Sequence, residues 1–233
     1  MGAIYLIRHG QASFGAANYD QLSELGHQQG AVLGQALLSR VTRVDAVITG
    51  TLQRHQATAA SCLKAMDLGL TPQVHAGVNE FDHEEVIERA EPRYADKLTM
   101  MADLAASGHP RRAFQVFFEG AVQRWISGEH DADYRETWRA FKNRCHAALD
   151  DVIDQSQGHP SSGTTLVFTS GGFIAIAVQR LLGIPDAQAF TLNWTLVNAG
   201  VTKLVVGSQG ARLLSVNEHA HFEGTHAPLL TYR

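Results

Sequence analysis

The sequence predicts an α/β protein, a three-layer α/β/α sandwich with a mostly parallel central sheet and an inserted helical cap. Three observations predict it. Short apolar runs alternate with amphipathic helical segments, the pattern of parallel strands joined by helical crossovers. Four of those runs end on polar or glycine-bearing stretches: "RHG" at 8–10, "GTLQR" at 50–54, "NEFD" at 79–82 and "SGG" at 170–172. A helical stretch at 84–130 is too long for a simple crossover and reads as an insertion.

The elements follow in order. Residues 3–7 read as a buried strand that stops at Arg8-His9-Gly10, followed by a polar, glycine-containing loop over 11–21. Ser23-Glu24-Leu25-Gly26 opens an amphipathic helix with Leu25, Val32, Leu33, Ala36 and Leu37 on one side. "DAVIT" at 45–49 is a second strand, broken at Gly50-Thr51, and a helix runs on to about Met66. "TPQVHAGVNEF" reads as a third strand ending near Asn79-Glu80. The 84–130 segment carries Met100, Met101, Leu104, Phe114, Phe117, Phe118 and Trp125, and it breaks at "SGHPRR". A helix is expected over 134–153, then a loop over "DQSQGHPSSG". Residues 166–169 form the fourth strand, with a helix to Leu182. Two strands flank the "GSQG" turn near the end.

The bulk properties narrow the function. The 233 residues suit a single domain, 1–233, with the 84–130 cap inserted in it. A 45% hydrophobic and 18% charged composition is that of a soluble globular chain. The net charge of −4 argues against nucleic acid, so any anion site must be a local cluster of cations. Cys62 and Cys145 have no metal-type spacing and read as buried, reduced thiols, which suits a cytoplasmic location. The apolar run in "MGAIYLIRHG" is too short for a signal peptide, and no run reaches membrane-spanning length. "HAH" at 219–221 and "EHD" at 129–131 lack a recognised ligand spacing, so no metal is expected.

In a parallel sheet, ligands bind beyond the carboxyl ends of the strands, so the four strand ends should share one crevice. Arg8 and Arg54 present planar donor forks suited to phosphoryl oxygens. A neutral His9 beside them can attack phosphorus and carry the group covalently. Glu80 is the candidate proton donor for the leaving oxygen, since a carboxyl beside phosphate is pushed toward its protonated form. The N–H groups after Ser170, at Gly171 above all, would add a helix N-terminus to the anion site. Taken singly, each residue has a plainer reading: Arg54 as a solvated helix residue, Glu80 as a surface carboxylate, Ser170 as a turn residue or helix cap. Ser170 as a hydrolase nucleophile fits poorly, because that elbow wants glycine two residues earlier and Phe168 stands there.

Several stretches together resemble the histidine phosphatase superfamily, also called the phosphoglycerate mutase-like family. "LIRHGQAS" resembles its Arg-His-Gly signature, and "YDQLSELGHQQG" the segment carrying its "LTxxG" element. "GTLQRHQATA" resembles "SxLxRAxQTA", "VNEF" the element with the proton donor, and "NAGVTKL" and "NEHAHF" late elements. The likeness spans most of the chain and is weakest in the cap. It implies that His9 is phosphorylated, that Arg8 and Arg54 bind the phosphoryl group, and that Glu80 protonates the leaving oxygen and then activates water. It implies no metal and no cofactor. The implied partner is a small phosphorylated substrate rather than nucleic acid or membrane, with a homodimer left open.

Four departures stand out. Ser170 occupies the place of a second family histidine, Gly50 that of a serine, and Ala57 that of a glutamine. "NEFDHEE" lacks the glycine–tryptophan pattern after the acid, which leaves Asp82 and Glu84 as fallback donors. Losing one preorganised donor costs about 100- to 1,000-fold in rate, so reduced phosphatase activity is expected, and Ser170→His should hold or raise it. Water or a neighbouring histidine, His83 or His55, is an alternative filler of the gap at Ser170, but each of the two is expected to be a plain surface histidine. The alternatives are a phosphoglycerate mutase-type transferase and a degenerate, non-catalytic phosphoryl-ligand binder. Arg111, Arg112 and Arg124 are the cap cations a mutase would need, and the cap aromatics read as its own core.

Overall fold

The structure is a computed structural model that describes residues 2–13, 20–158 and 163–232. The chain divides into two compact units, one of Met1–Glu80 with Cys145–Arg233 and the other of Phe81–Arg144.

The first unit holds a sheet that has six strands among the described residues: β1 (Gly2–Arg8), β2 (Ala46–Thr49), β3 (Gln73–Val74), β4 (Thr164–Thr169), β5 (Val201–Gly207) and β6 (Gly210–Glu218). Their order is β3-β2-β4-β1-β5-β6. The first four run parallel, and β5 and β6 add an antiparallel edge. This is the mostly parallel α/β sheet the sequence predicts. All six residues of β4 are buried, as expected of a parallel strand covered on both faces. On one face Tyr5, Ile7, Val47, Leu166 and Phe168 pack against Leu33, Leu37, Ala59, Cys62 and Leu63. Ile4, Leu6, Ile48 and Val167 lie on the alternate side of their strands and are also buried.

The helices in chain order are α1 (Glu24–Leu38), α2 (Gln53–Ala65), α3 (His83–Ala90), α4 (Lys97–Ala106), α5 (Pro110–Ile126), α6 (Trp138–Gln157), α7 (Gly171–Leu182) and α8 (Asp186–Thr195). Ser23 caps α1, its hydroxyl accepting from Gly26 N. The buried stripe of α1 differs from the expected one: Gly26, Gln29, Gly30, Leu33, Gly34 and Leu37 face inward, while Leu25, Val32 and Ala36 are half-buried. The reason is close helix packing. A Cβ on Gly34 would lie 2.4 Å from the Cys62 carbonyl oxygen of α2.

Other expectations change as well. The third strand shrinks to two exposed residues followed by a single 3-10 turn at Ala76–Val78, with the His75 side chain accepting from Gly77 N. It sits at the sheet edge, where short strands limit unwanted pairing. The helix expected over 134–153 starts and ends later and covers part of the expected loop, because no breaker precedes Gly158. Residues 159–162 of that loop and 14–19 of the loop after His9 lie outside the described residues. Helix α8 was not anticipated. Both cysteines are buried and free, and burial pushes the Cys62 thiol up to about 12.

The second unit is helical and contains the segment 84–130. Phe81 stacks on Trp125 with ring centroids 4.9 Å apart, and Trp125 meets Trp138 edge-on at 5.2 Å. Phe118, Val122 and Phe141 are buried in the same unit. Arg124 is engaged with Asp133 and Tyr134, whereas Arg111 and Arg112 are exposed.

Candidate active site

The parallel sheet brings the ends of β1 and β4 side by side. Arg8 pairs in register with Thr169, and the next residue, His9, donates its backbone N–H to Thr169 O at 2.9 Å. Gly10 N then donates to Thr58 Oγ1 at 2.9 Å, and that hydroxyl donates to Arg54 O at 2.7 Å. The Arg8-His9-Gly10 turn is thereby fastened to the first turns of α2. Gly10 has to be glycine, because a Cβ there would lie 2.5 Å from Gly26 O. Asn198 Nδ2 holds His9 O at 3.1 Å from the far side.

His9 is 6% exposed. Its Nδ1 lies 2.6 Å from Gly10 O. A carbonyl only accepts, so Nδ1 carries the proton and Nε2 keeps its lone pair. Arg54 Nε donates to that Nε2 at 3.2 Å. Burial pushes the His9 pKa well below the ordinary 6.5, helped by the charges of Arg54 and Arg8 and by His55, against the pull of the Gly10 bond. Burial, then Arg54, likewise lowers His55. Both imidazoles are therefore neutral at physiological pH.

A pH prediction follows. The unfolded chain binds protons on these two histidines near pH 6.5, and the folded chain does not. Their contribution to stability is therefore complete above 6.5 and is lost as pH falls below it toward the folded values. Thermal unfolding between pH 7.5 and 5 should show Tm falling across that window. In His9→Gln the acid sensitivity should be smaller, and an unchanged slope would refute the assignment.

Arg54 is 6% exposed and forms an ion pair with Asp20 at 2.8 Å through Nη1. The other Asp20 oxygen accepts from Gln53 N, the first amide of α2, at 2.7 Å. The carboxylate thus takes both the guanidinium and a helix N-terminus, two features that favour anions. Arg8 is half-buried. Its Nη1 donates to Leu196 O and, at 2.9 Å, to Tyr232 O, while its Nε lies alongside the first residue of α7. Glu80 reaches the same helix end, its Oε2 accepting from Gly172 N at 3.2 Å. Thr169 Oγ1 donates to Val78 O at 2.5 Å and so ties the Glu80 loop to the end of β4. A Cβ at Gly171 would lie 2.0 Å from Asn193 Oδ1, so a side chain there would require Asn193 to move. Asp82 and Glu84 are engaged within the second unit. Asp82 caps α3 and pairs with Arg135 at 2.7 Å, and Glu84 pairs with Lys97 at 2.6 Å. Among the described residues no His, Cys, Asp or Glu group is arranged to hold a metal ion.

His55 departs from expectation. It is a fully buried residue, not a surface one. Its Nε2 lies 2.6 Å from Ser170 Oγ, and its ring centroid is 5.7 Å from that of His9. Gly50 makes room for it, because a Cβ at residue 50 would fall 2.3 Å from His55 Nδ1. The expected benefit of Ser170→His is revised for the same reason: the space beside Ser170 is filled by an imidazole. A sequence signal existed, since two departures that trim side chains, at Gly50 and Ser170, accompany an enlarged residue at 55. Sequence reasoning also missed Asp20, Thr58 and Asn198, which hold the site residues.

Two overlapping matches, over residues 4–107 and 105–219, connect the sequence to the family described as the histidine phosphatase superfamily (branch 1). The chain belongs to the histidine phosphatase superfamily. As a member it is a phosphatase-like enzyme. Its fold is that of several solved relatives. A phosphoserine phosphatase from Entamoeba histolytica, solved as a variant with phosphoserine, is 17% identical with a TM-score of 0.65, covering 95% of this chain and 99% of its own. A phosphoglycerate mutase from Bacillus anthracis is 19% identical with a TM-score of 0.63, covering 94% of each chain. A mycobacterial glucosyl-3-phosphoglycerate phosphatase is 21% identical with a TM-score of 0.61, covering 94% of this chain and 100% of its own. No curated protein matches the sequence significantly. Among the described residues of this superfamily member, no helix is long and apolar enough to cross a membrane.

Proposed function

We propose that this member of the superfamily hydrolyses phosphomonoesters through a phosphohistidine on His9. The observation that carries the reading is the state of that imidazole: buried, neutral, its Nδ1 proton given to Gly10 O and its Nε2 lone pair turned to Arg54. In the first step Nε2 attacks phosphorus, a P–N bond forms, and the bond to the ester oxygen breaks. Glu80 gives its proton to that leaving oxygen. In the second step Glu80, now a carboxylate, takes a proton from water as the water oxygen attacks phosphorus. The P–N bond breaks, phosphate leaves, and its electron pair returns to Nε2. Arg8 and Arg54 hold the phosphoryl oxygens throughout, joined by Ser170 and the Gly171 N–H at the start of α7. The arginines supply the positive charge, so this scheme calls on neither metal nor cofactor.

The substrate class is a small phosphorylated metabolite, in keeping with relatives named for phosphoserine and phosphoglycerate chemistry. Hydrolysis is favoured over mutase transfer because Arg124, one of the cations a mutase would want for a substrate carboxylate, is taken by Asp133. The two buried free thiols fit a cytoplasmic enzyme. The test is a phosphorus-32 ester mixed with enzyme and quenched in alkaline denaturant, since phosphohistidine hydrolyses in acid. Label is expected on the peptide containing His9. Turnover with label on no histidine, or no turnover of any ester by folded protein, would reject the reading.

A further inference from the structure

We propose that His55 and Ser170 work as one donor unit, in which His55 positions the Ser170 hydroxyl toward the phosphoryl group carried by His9. This rests on the phosphohistidine reading above and adds a residue to it.

The three side chains form a compact triangle. His9 follows Arg8 and Ser170 follows Thr169 in the paired ends of β1 and β4, so the two residues emerge side by side. His55 closes the triangle from α2, with its Nε2 2.6 Å from Ser170 Oγ and its ring 5.7 Å from the His9 ring at an interplanar angle of 33°. His55 and Ser170 are both fully buried.

A structural role explains this pair poorly. Ser170 stands at the N-cap position of α7, where a serine ordinarily accepts from the helix amides, yet its side chain makes no such bond. The hydroxyl oxygen pairs with His55 Nε2 instead. His55 Nδ1 finds no hydrogen-bond partner among the described residues. A buried polar pair with one nitrogen unsatisfied costs stability compared with apolar side chains of the same size. The backbone also makes way for it, since residue 50 can carry no side chain while His55 is there.

The proton positions follow from the same facts. A buried N–H without a partner is worse tolerated than an under-used acceptor. The bare Nδ1 therefore holds a lone pair, and the Nε2 proton is donated to Ser170 Oγ. The serine proton is then available for a third group. With His9 phosphorylated beside it, a phosphoryl oxygen is the acceptor in reach. His55 acts here only through Ser170, as a positioning residue. The unit restores a donor that the serine alone, free to turn its hydroxyl elsewhere, would supply less well.

The test is a mutant cycle on His55→Leu, Ser170→Ala and the double variant, with His55→Gln as the conservative replacement. Readouts are kcat and KM for p-nitrophenyl phosphate, the Kd for orthovanadate, and Tm. Each single variant should lower kcat by about 10²-fold with KM little changed. The double should be no worse than the poorer single, the mark of residues acting as a unit. His55→Gln, which keeps a donor, should recover part of the rate. Losses that multiply in the double, a His55→Leu that lowers Tm while kcat stays, or a glutamine no better than leucine would each overturn the proposal. Should His55→Leu not fold, His55→Gln and Ser170→Ala, with their double, carry the cycle. Should the wild type turn over no ester, the phosphatase reading fails by itself. The vanadate affinities then decide the pair: a coupled loss supports it, and independent or absent losses reject it.

Discussion

His9→Ala is expected to lose roughly 10⁴- to 10⁶-fold in kcat for ester hydrolysis, the scale on which removing a nucleophile acts. The loss should be of chemistry rather than of fold. The backbone bonds of residue 9, from its N–H to Thr169 O and from Asn198 Nδ2 to its carbonyl, do not involve the ring. The ring itself takes part in two hydrogen bonds, to Gly10 O and from Arg54 Nε, whose removal costs about 1 kcal/mol net each, plus the cavity it leaves. The variant should therefore stay folded with a lower Tm. It should bind orthovanadate weakly and yield no labelled histidine after the alkaline quench. Retention of more than about a hundredth of the wild-type rate would show that another group attacks phosphorus. Ser170 would then be examined with a fluorophosphonate probe.

Arg54→Ala carries the second-largest expected effect, a fall of about 10³-fold in kcat/KM for p-nitrophenyl phosphate. Arg54 makes two directed bonds at once, Nε to His9 Nε2 and Nη1 to Asp20 Oδ1. A lysine has one point of donation and cannot reproduce that fork, so Arg54→Lys should recover little. The substitution also acts through His9. The Arg54 charge is one cause of the depressed His9 pKa, second after burial. Removing a neighbouring cation makes the imidazolium less costly, so the His9 pKa rises toward 6.5. Since the neutral ring is the nucleophile, the acid limb of kcat/KM should move to higher pH. A lysine variant with near wild-type activity, or an acid limb that stays in place, would contradict this account.

Much of the fold was legible because burial and chain breaks leave periodic marks. The apolar run of β4 announced a buried strand, and Ser23 marked the start of a helix. Where the marks were ambiguous, the reading drifted. Half of the inward stripe of α1 is glycine, and a hydrophobicity pattern does not see a position whose value is its lack of a side chain. The β3 segment has strand-like composition but only one neighbour to pair with, so two residues of ladder suffice. Helix α8 carries no strong amphipathic stripe, with only Ala189 and Phe190 buried, and its sequence gave little to read.

The candidate site divides in the same way. His9, Arg8, Arg54 and Ser170 could be named from sequence because each stands where a strand ends or the next helix opens, and parallel strands deliver their ends to one edge; Glu80 was read at the end of a longer third strand, whereas β3 stops at Val74 and a 3-10 turn follows it. The partners of those residues could not. Asp20 is 34 positions from Arg54, and Ser170 is 115 from His55. His55 follows Arg54 directly, and successive helix positions ordinarily diverge by about 100° around the axis. One of the two is expected to face water on that ground. Here the first turn of α2 abuts the sheet edge, so both are buried.

By itself, then, the sequence determined the mostly parallel sheet and which residues stand at the ends of β1, β2 and β4, because those depend on local periodicity and on residues that stop it. Only the tertiary structure decided that Asp20 occupies Arg54, that Gly10 O takes the Nδ1 proton of His9, and that a second imidazole reaches Ser170 from α2. Those outcomes turn on distances of a few ångströms between segments far apart in the chain, and such distances exist only once the packing of α2 against the sheet has set them.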